Sequence, residues 1–454
     1  MTDDSITRDL CQFVVDARYE QLTSREINKL KDLVTDLIGI AAGAAGVCDS
    51  SEPFLKAVTA LGGQSGRSTV FTKGSTFSPQ HAGMLNAAFA HSFDFDDTHA
   101  PSILHPGATA IPAALAQGEL SGADGKALLL GIAVGYEVTC RIGRAFNYGG
   151  YTRGFHNTAT AGIFGAVAAI AKIKGLSVAE VNNAFGLALS KAAGSMQFLD
   201  NGSWNKRLHP GFAVHDAFVV TALAEAGVIG ATHPIEGKYG ALHMYSATST
   251  TKGLTDNLGS EWIFAATAMK PFPACRMTHS AIEAVAGLAK DVAGKKTPQH
   301  IRVELSPGCY PIVGPPDKNR VHPVTIVDGQ FSMYYQVAIS WLHGMEIGWR
   351  MYDEAQMQSP EVAALCDKVE VSVNADVRDL EARLTFTWVE DGSTTEIGQV
   401  FPKGEDEHPF SKADVHKKFL SMVGPVYSAH TSKAILDTIE NIDNLTTADL
   451  IRLL

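Results

Sequence analysis

Between residues 23 and 227 the chain returns repeatedly to a 3.6-residue apolar period carried largely by alanine and glycine, and this pattern constrains the fold more than any other. The segments TSREINKLKDLVTDLIGIAAGAAG, GKALLLGIAVGYEVTCRIGRAF, ATAGIFGAVAAIAKIKG, SVAEVNNAFGLALSKAAG and PGFAVHDAFVVTALAEAG each read as a helix. Faces such as TAGIFGAVAAIA put short side chains between neighbouring backbones, so these helices can pack closely. Their starts are marked as well. Thr23 with Glu26, and Ser177 with Glu180, have capping-box spacing, and glycine closes several segments.

The texture changes after about residue 268. HIRVELSPG (300–308), KVEVSVNAD (368–376) and ARLTFTWVEDGSTTEIGQVF (382–401) alternate with period 2, and Asp391-Gly392 is a hairpin signal inside the last. Helices are predicted between the strands near 278–292 and 331–343, and the tail from about 405 returns to helix in KADVHKKFLSMVG and TTADLIRLL. The expected fold is mainly α. A large all-helical domain, discontinuous over 1–268 and 405–454, is joined by a smaller α+β domain over 269–404.

Composition narrows the function. The net charge of −11 leaves no basic stripe for phosphates, which argues against nucleic acid. Apolar runs such as LLLGIAVGYEV are too short to span a bilayer, so no membrane partner is expected. The opening MTDDSITRDL has neither an apolar nor an arginine-rich leader pattern; the expectation is the cytoplasm, or a matrix compartment had a presequence been removed. Six cysteines, none closer than 34 residues to the next, form no CxxC zinc or iron–sulfur pattern.

Five stretches break the apolar pattern with ionisable groups. HSFDFDDTHAPSILHPGA holds His91, Asp94, Asp96, Asp97, Thr98, His99 and His105. RGFHNTATAG sets His156 before an alanine-rich helix, where a carboxylate ligand would meet the positive helix end. SWNKRLHPG carries Lys206, Arg207 and His209; KPFPACRMTHSAIEA carries Lys270, Cys275, Arg276 and His279; PPDKNRVHP carries Lys318, Arg320 and His322. Any one of these could be a cap or a solvated surface group. Together, at helix junctions where clefts form, they point to a shared site.

The His and Asp of HSFDFDDTHAPSILHPGA would suit zinc, iron or manganese. No HExxH-type helical spacing occurs, and on a helix Asp94 and Asp97 would share a face with His91 while Asp96 would not. The expectation is therefore no metal. GxxxxGK[ST], a strand-linked GxGxxG and a GxSxG elbow are also missing. What remains is acid/base work by histidine, with lysine and arginine holding anions.

At these residues the chain resembles the MmgE/PrpD family, which includes 2-methylcitrate dehydratase, cis-aconitate decarboxylase and iminodisuccinate epimerase. The likeness lies in HSFDFDDTHAPSILHPGATAIPAALA, GFHNTATAG, WNKRLHPGFA and KPFPACRMTHSAIEA and runs over nearly the whole chain. It implies a helical domain with a smaller α+β lid, a homodimer, and no metal or organic cofactor. Carried over by position, the implied site comprises Asp94, Thr98, His105, His156, Lys206 and His279, with Met196 on a pocket wall. DNGSW before Lys206 and the charged PPDKNRVHP loop depart from the decarboxylase pattern.

The family's reactions make or quench carbanion character beside a carboxylate. Lys206 is the expected electrostatic stabiliser, with Arg207 or Arg320 binding substrate carboxylates. His105 and His156 are the expected acid and base, Asp94 orients a histidine, His279 completes the site and Cys275 lines it. The leading expectation is a cofactor-free lyase dehydrating a 2-methylcitrate or other 2-alkylcitrate. The alternatives are decarboxylation of cis-aconitate to itaconate, epimerisation of iminodisuccinate, and, from another class, an inactive helical binding protein.

Overall fold

The structure is a computed structural model that describes residues 5–454, apart from the side chain of Lys318. The first four residues of the N-terminal stretch read above for a leader lie outside the described residues. The chain divides into two compact units. One comprises residues up to Met196, Trp204–Met269 and Phe410–Leu454; the other comprises Gln197–Ser203 and Lys270–Pro409.

The first unit is built of helices, and its sequence signals do what they should locally. The long helix Ser24–Val47 starts from Thr23 in a capping box with Glu26, and Val178–Ala188 starts the same way from Ser177 and Glu180. The small residues serve close approach. A Cβ added at Gly165 would sit 1.8 Å from Thr139 Oγ1 and 2.4 Å from the Gly135 carbonyl, so the helices Gly162–Lys174 and Gly125–Phe146 meet almost backbone to backbone. Ser24–Val47 packs in the same manner on Lys412–Val423, where a Cβ at Gly43 would lie 2.7 Å from the Met422 carbonyl.

Two features depart from expectation. A short antiparallel pair, β1 (Ser68–Thr69) and β2 (Thr76–Phe77), interrupts the helices. Two residues per strand are too few to show a period of 2. Further along, Lys206, Arg207 and His209 lie within one continuous helix, Asn205–Glu225, rather than at the junction suggested by Pro210. Proline lacks an N–H for the fourth residue before it, here Lys206, yet the helix runs through.

The second unit holds a four-stranded sheet of β3 (Pro298–Leu305), β4 (Val369–Val373), β5 (Ala382–Trp388) and β6 (Thr394–Gln399), in the order β4-β3-β5-β6. β3 and β4 are parallel; the other neighbours are antiparallel. The β5–β6 hairpin turns at Asp391-Gly392, with Gly392 at φ 67° as such a turn requires. Alternate residues of β5 (Ala382, Leu384, Phe386 and Trp388) are buried. The helices His279–Asp291 and Met333–His343 pack on the sheet, and Trp341 meets Phe386 and Trp388 at ring distances of 5.6 and 6.1 Å. The whole is mainly α with a smaller α+β part.

Candidate active site

The helix Pro79–His91 ends at His91, and the chain then leaves helical geometry until Gly107 except for one short turn at Ala100–Ser102. Asp94 sits at φ 50°, a left-handed backbone that short polar residues tolerate. Thr98 then pairs both backbone groups with Ala268, at 2.8 and 2.7 Å, and His99 N–H donates to the Leu104 carbonyl at 2.9 Å. A pinned loop results. Its imidazoles and carboxylates are buried, not solvated.

From this loop the site assembles. Lys206 Nζ donates to Asp94 Oδ1 at 2.7 Å. His105 Nε2 lies 3.9 Å from the same oxygen, while its Nδ1 lies 3.3 Å from Asp96 Oδ2. His91 Nδ1 meets that Asp96 oxygen at 2.7 Å. His156 caps the short helix Asn157–Thr160, and its Nδ1 faces His209 Nδ1 at 3.0 Å, one donating to the other. The His91 ring lies 4.7 Å from that of His105 and 5.6 Å from that of His156. His156 is held by its backbone too: its N–H donates to the Gly194 carbonyl at 2.9 Å, and Met196 N–H donates to Gly154 at 2.9 Å.

The stretch is not helical, so the helical face considered above does not form. Because the helix stops at His91, Asp96 swings back onto His91 and stands between two histidines, whereas Asp97 turns away. Asp97 instead accepts from Gly107 N–H at 3.0 Å and from the Tyr136 hydroxyl. Gly107 has to be glycine here, since a Cβ would lie 2.3 Å from Tyr136 Oη and 2.5 Å from Asp97 Oδ2. The carboxylate that faces the histidines is Asp96, and Asp94 is committed to Lys206.

Electrostatics follow from burial. Burial holds His91 down at about 4 and His209 at about 3, and it drives His156 well below the usual range with help from His209 and Lys206. These rings are neutral at pH 7. For Asp96, burial acts to raise the carboxyl, but His91 and His105 together outweigh it and hold the group well below its ordinary value. Burial wins at Asp97, which rises to about 7. The buried polar atoms in the cluster's loop with no hydrogen-bond partner among the described residues include His91 Nε2 and Thr98 Oγ1, an arrangement that costs stability unless a ligand supplies one.

Of the residues singled out from sequence, the structure brings together Asp94, His105, His156 and Lys206, with Thr98 in the same pinned loop and Met196 held by its N–H on the Gly154 carbonyl, two residues before His156. Arg207 is occupied differently. Its Nη1 donates to Asp49 at 2.6 Å and its guanidinium lies 5.5 Å from the Trp204 ring centre, so Asp49 already neutralises its charge. His279, Cys275 and Arg320 belong to the other unit. There both ring nitrogens of His279 are engaged, by Arg276 at 3.1 Å and the Ala274 carbonyl at 3.2 Å. Cys275 is buried, with its N–H on the Gln330 carbonyl, and Arg320 pairs with Asp317 at 2.7 Å. Sequence reasoning left His91, Asp96 and His209 out of the site. The signal was present in HSFDFDD and LHPG, but it needed the loop geometry to be read.

Such a constellation, a buried lysine–carboxylate pair ringed by histidines, suits proton transfer beside an anionic centre. Residues 8–253 match the MmgE/PrpD N-terminal domain and residues 272–444 the MmgE/PrpD C-terminal domain. The chain belongs to the MmgE/PrpD family. This MmgE/PrpD protein is similar over nearly its full length to cis-aconitate decarboxylase of Aspergillus terreus, at 26% identity with 97% of this chain and 94% of the relative covered. A cis-aconitate decarboxylase-like protein of Aspergillus oryzae is 26% identical, covering 99% and 96%, and cis-aconitate decarboxylase of Mus musculus is 25% identical, covering 97% and 91%. Like them, this family member is an enzyme of the lyase class.

Proposed function

We propose that this lyase decarboxylates cis-aconitate to itaconate, and the observation that carries the reading is the buried Lys206–Asp94 pair beside His105, a fixed cation placed where an anion can develop. Dehydrating an alkylcitrate begins with removal of a weakly acidic C–H proton, which calls for a competent base. Burial makes His91, His156 and His209 poor bases. Decarboxylation forms the carbanion by losing CO2 and asks only for a cation and, afterwards, a proton donor. The names and full-length similarity of the relatives support the same choice over the dehydration expected from sequence.

The C–C bond to the carboxylate on the CH2 group breaks and CO2 leaves. Its electron pair forms a double bond to the central carbon, and the original alkene pair moves to the CH beside the terminal carboxylate. Lys206 stabilises the resulting enediolate, and Asp94 fixes the ammonium by their 2.7 Å contact. His105 delivers one proton to that carbon, with Asp96 facing its other nitrogen at 3.3 Å. Thr98 Oγ1 is available to a substrate carboxylate.

Dehydration of a 2-alkylcitrate is the second reading, favoured by DNGSW and PPDKNRVHP, which depart from the decarboxylase pattern. Proton NMR of the purified protein with cis-aconitate, citrate, 2-methylcitrate, a longer alkylcitrate and iminodisuccinate separates the two. Itaconate methylene signals from cis-aconitate are expected, with one deuterium in the saturated CH2 when the solvent is D2O. Loss of the methine signal of an alkylcitrate alone, with its methyl doublet collapsing to a singlet, or a new vinyl signal if the CH2 side loses the proton, would move the assignment to dehydratase. No change in any tube would remove the substrate class.

A further inference from the structure

We propose that His91, His105 and His156 form a binding site for a borderline divalent transition metal such as Zn2+ or Co2+, and that metal and substrate exclude each other there. The exclusion rests on the active-site reading above; the metal binding does not.

Each of the three residues offers a ring nitrogen, and the candidate ligand atoms all lie within 4.8 Å of one another. The outer contacts resemble those that support metal-bound histidines, where the ring nitrogen away from the ion is held by a carboxylate or another polar group. His91 Nδ1 is held by Asp96 at 2.7 Å, His105 Nδ1 lies 3.3 Å from the same carboxylate, and His156 Nδ1 contacts His209 at 3.0 Å. His91 Nε2 is buried without a hydrogen-bond partner among the described residues.

Charge and donor type favour a cation of this class. A metal ligand must be a neutral imidazole, and all three rings are buried beside one another. Asp94 and Asp96 outweigh Lys206 by one negative charge among the nearest fixed groups, so a dication is not repelled outright. Imidazole donors select Zn2+, Co2+, Ni2+ or Cu2+ over Mg2+ or Ca2+. A ring nitrogen bound to metal can neither give nor take a proton, so occupation stops the acid/base work. Linear spacing conceals this site because its ligands come from a helix end, a loop and a helix cap.

The test is titration of the full-length, chelator-stripped protein with Co2+, followed by its visible d–d absorption and by X-ray absorption of the bound ion. One Co2+ per chain with an imidazole-dominated shell is expected. Asp96→Asn should weaken binding by about 10–100-fold, and His91→Gln should abolish the band while circular dichroism stays native. Absence of saturable binding, an oxygen-only shell in the native protein, or an unchanged band in a folded His91→Gln variant would overturn the proposal. Activity is then followed at free Zn2+ set by a metal buffer, because tricarboxylates chelate metals themselves. Loss of turnover in step with occupancy is expected; full occupancy with full turnover refutes the exclusion and leaves the lyase reading standing. A chain that binds Co2+ yet turns over none of the substrates fails the lyase reading instead.

Discussion

Asp94 reaches Lys206 because its backbone is left-handed: φ 50° turns the carboxylate away from the path a helix would give it. That one angle separates two aspartates by role, Asp94 on the ammonium and Asp96 on the histidines. Lys206→Met is expected to lower kcat by about 10²–10³-fold, the usual loss when one preorganised charge at a developing anion is removed, as read in the itaconate assay. Asp97 invites a different test. Its folded value of about 7 lies above the ordinary 3.8, so the stability it lends is fully present below 3.8 and is lost as pH rises through about 7. In urea unfolding, Asp97→Asn should therefore gain on the native protein between those limits and hold a constant difference above them. None of this was legible from residue type alone. Burial decides it, and three aspartates within four positions look alike in a string of letters.

The helices were legible as elements because their cause is local. Alanine and glycine at helical spacing, with capping boxes at Thr23 and Ser177, specify helix starts and the faces that pack. What secures the site loop from outside was not. Lys418, on the helix Lys412–Val423, is buried, pairs with Asp36 Oδ1 at 2.7 Å and donates to the Phe95 carbonyl at 2.9 Å, between Asp94 and Asp96. Read in sequence, HKKFL looks like a solvated helix face. Lys418→Met would leave Asp36 charged or unpaired in the interior, and a loss of about 3–5 kcal/mol in urea unfolding is expected. The paired variant Asp36→Leu with Lys418→Met should recover most of that stability, because an apolar pair of similar volume needs no compensation. Its turnover should stay low if the Phe95 contact positions the loop.

At the scale of the whole molecule, the resemblance implies a homodimer, and sedimentation equilibrium is expected to return twice the chain mass of 48.3 kDa. A mass of one chain at micromolar concentration would contradict it. By itself the sequence determined the mainly α class, the strands of the smaller α+β part and membership of the MmgE/PrpD family, because periodicity, turn chemistry and motif combinations are properties of neighbouring residues. Only the tertiary structure decided which ionisable groups meet. His91, Asp96, His105, His156 and Lys206 come from four separate segments, and each contact depends on where a helix stops or a loop reverses. Only the tertiary structure, too, could decide their protonation. A histidine carries its ordinary value in any sequence; the loss of water around it, and the neighbours that replace that water, exist only once the chain has folded.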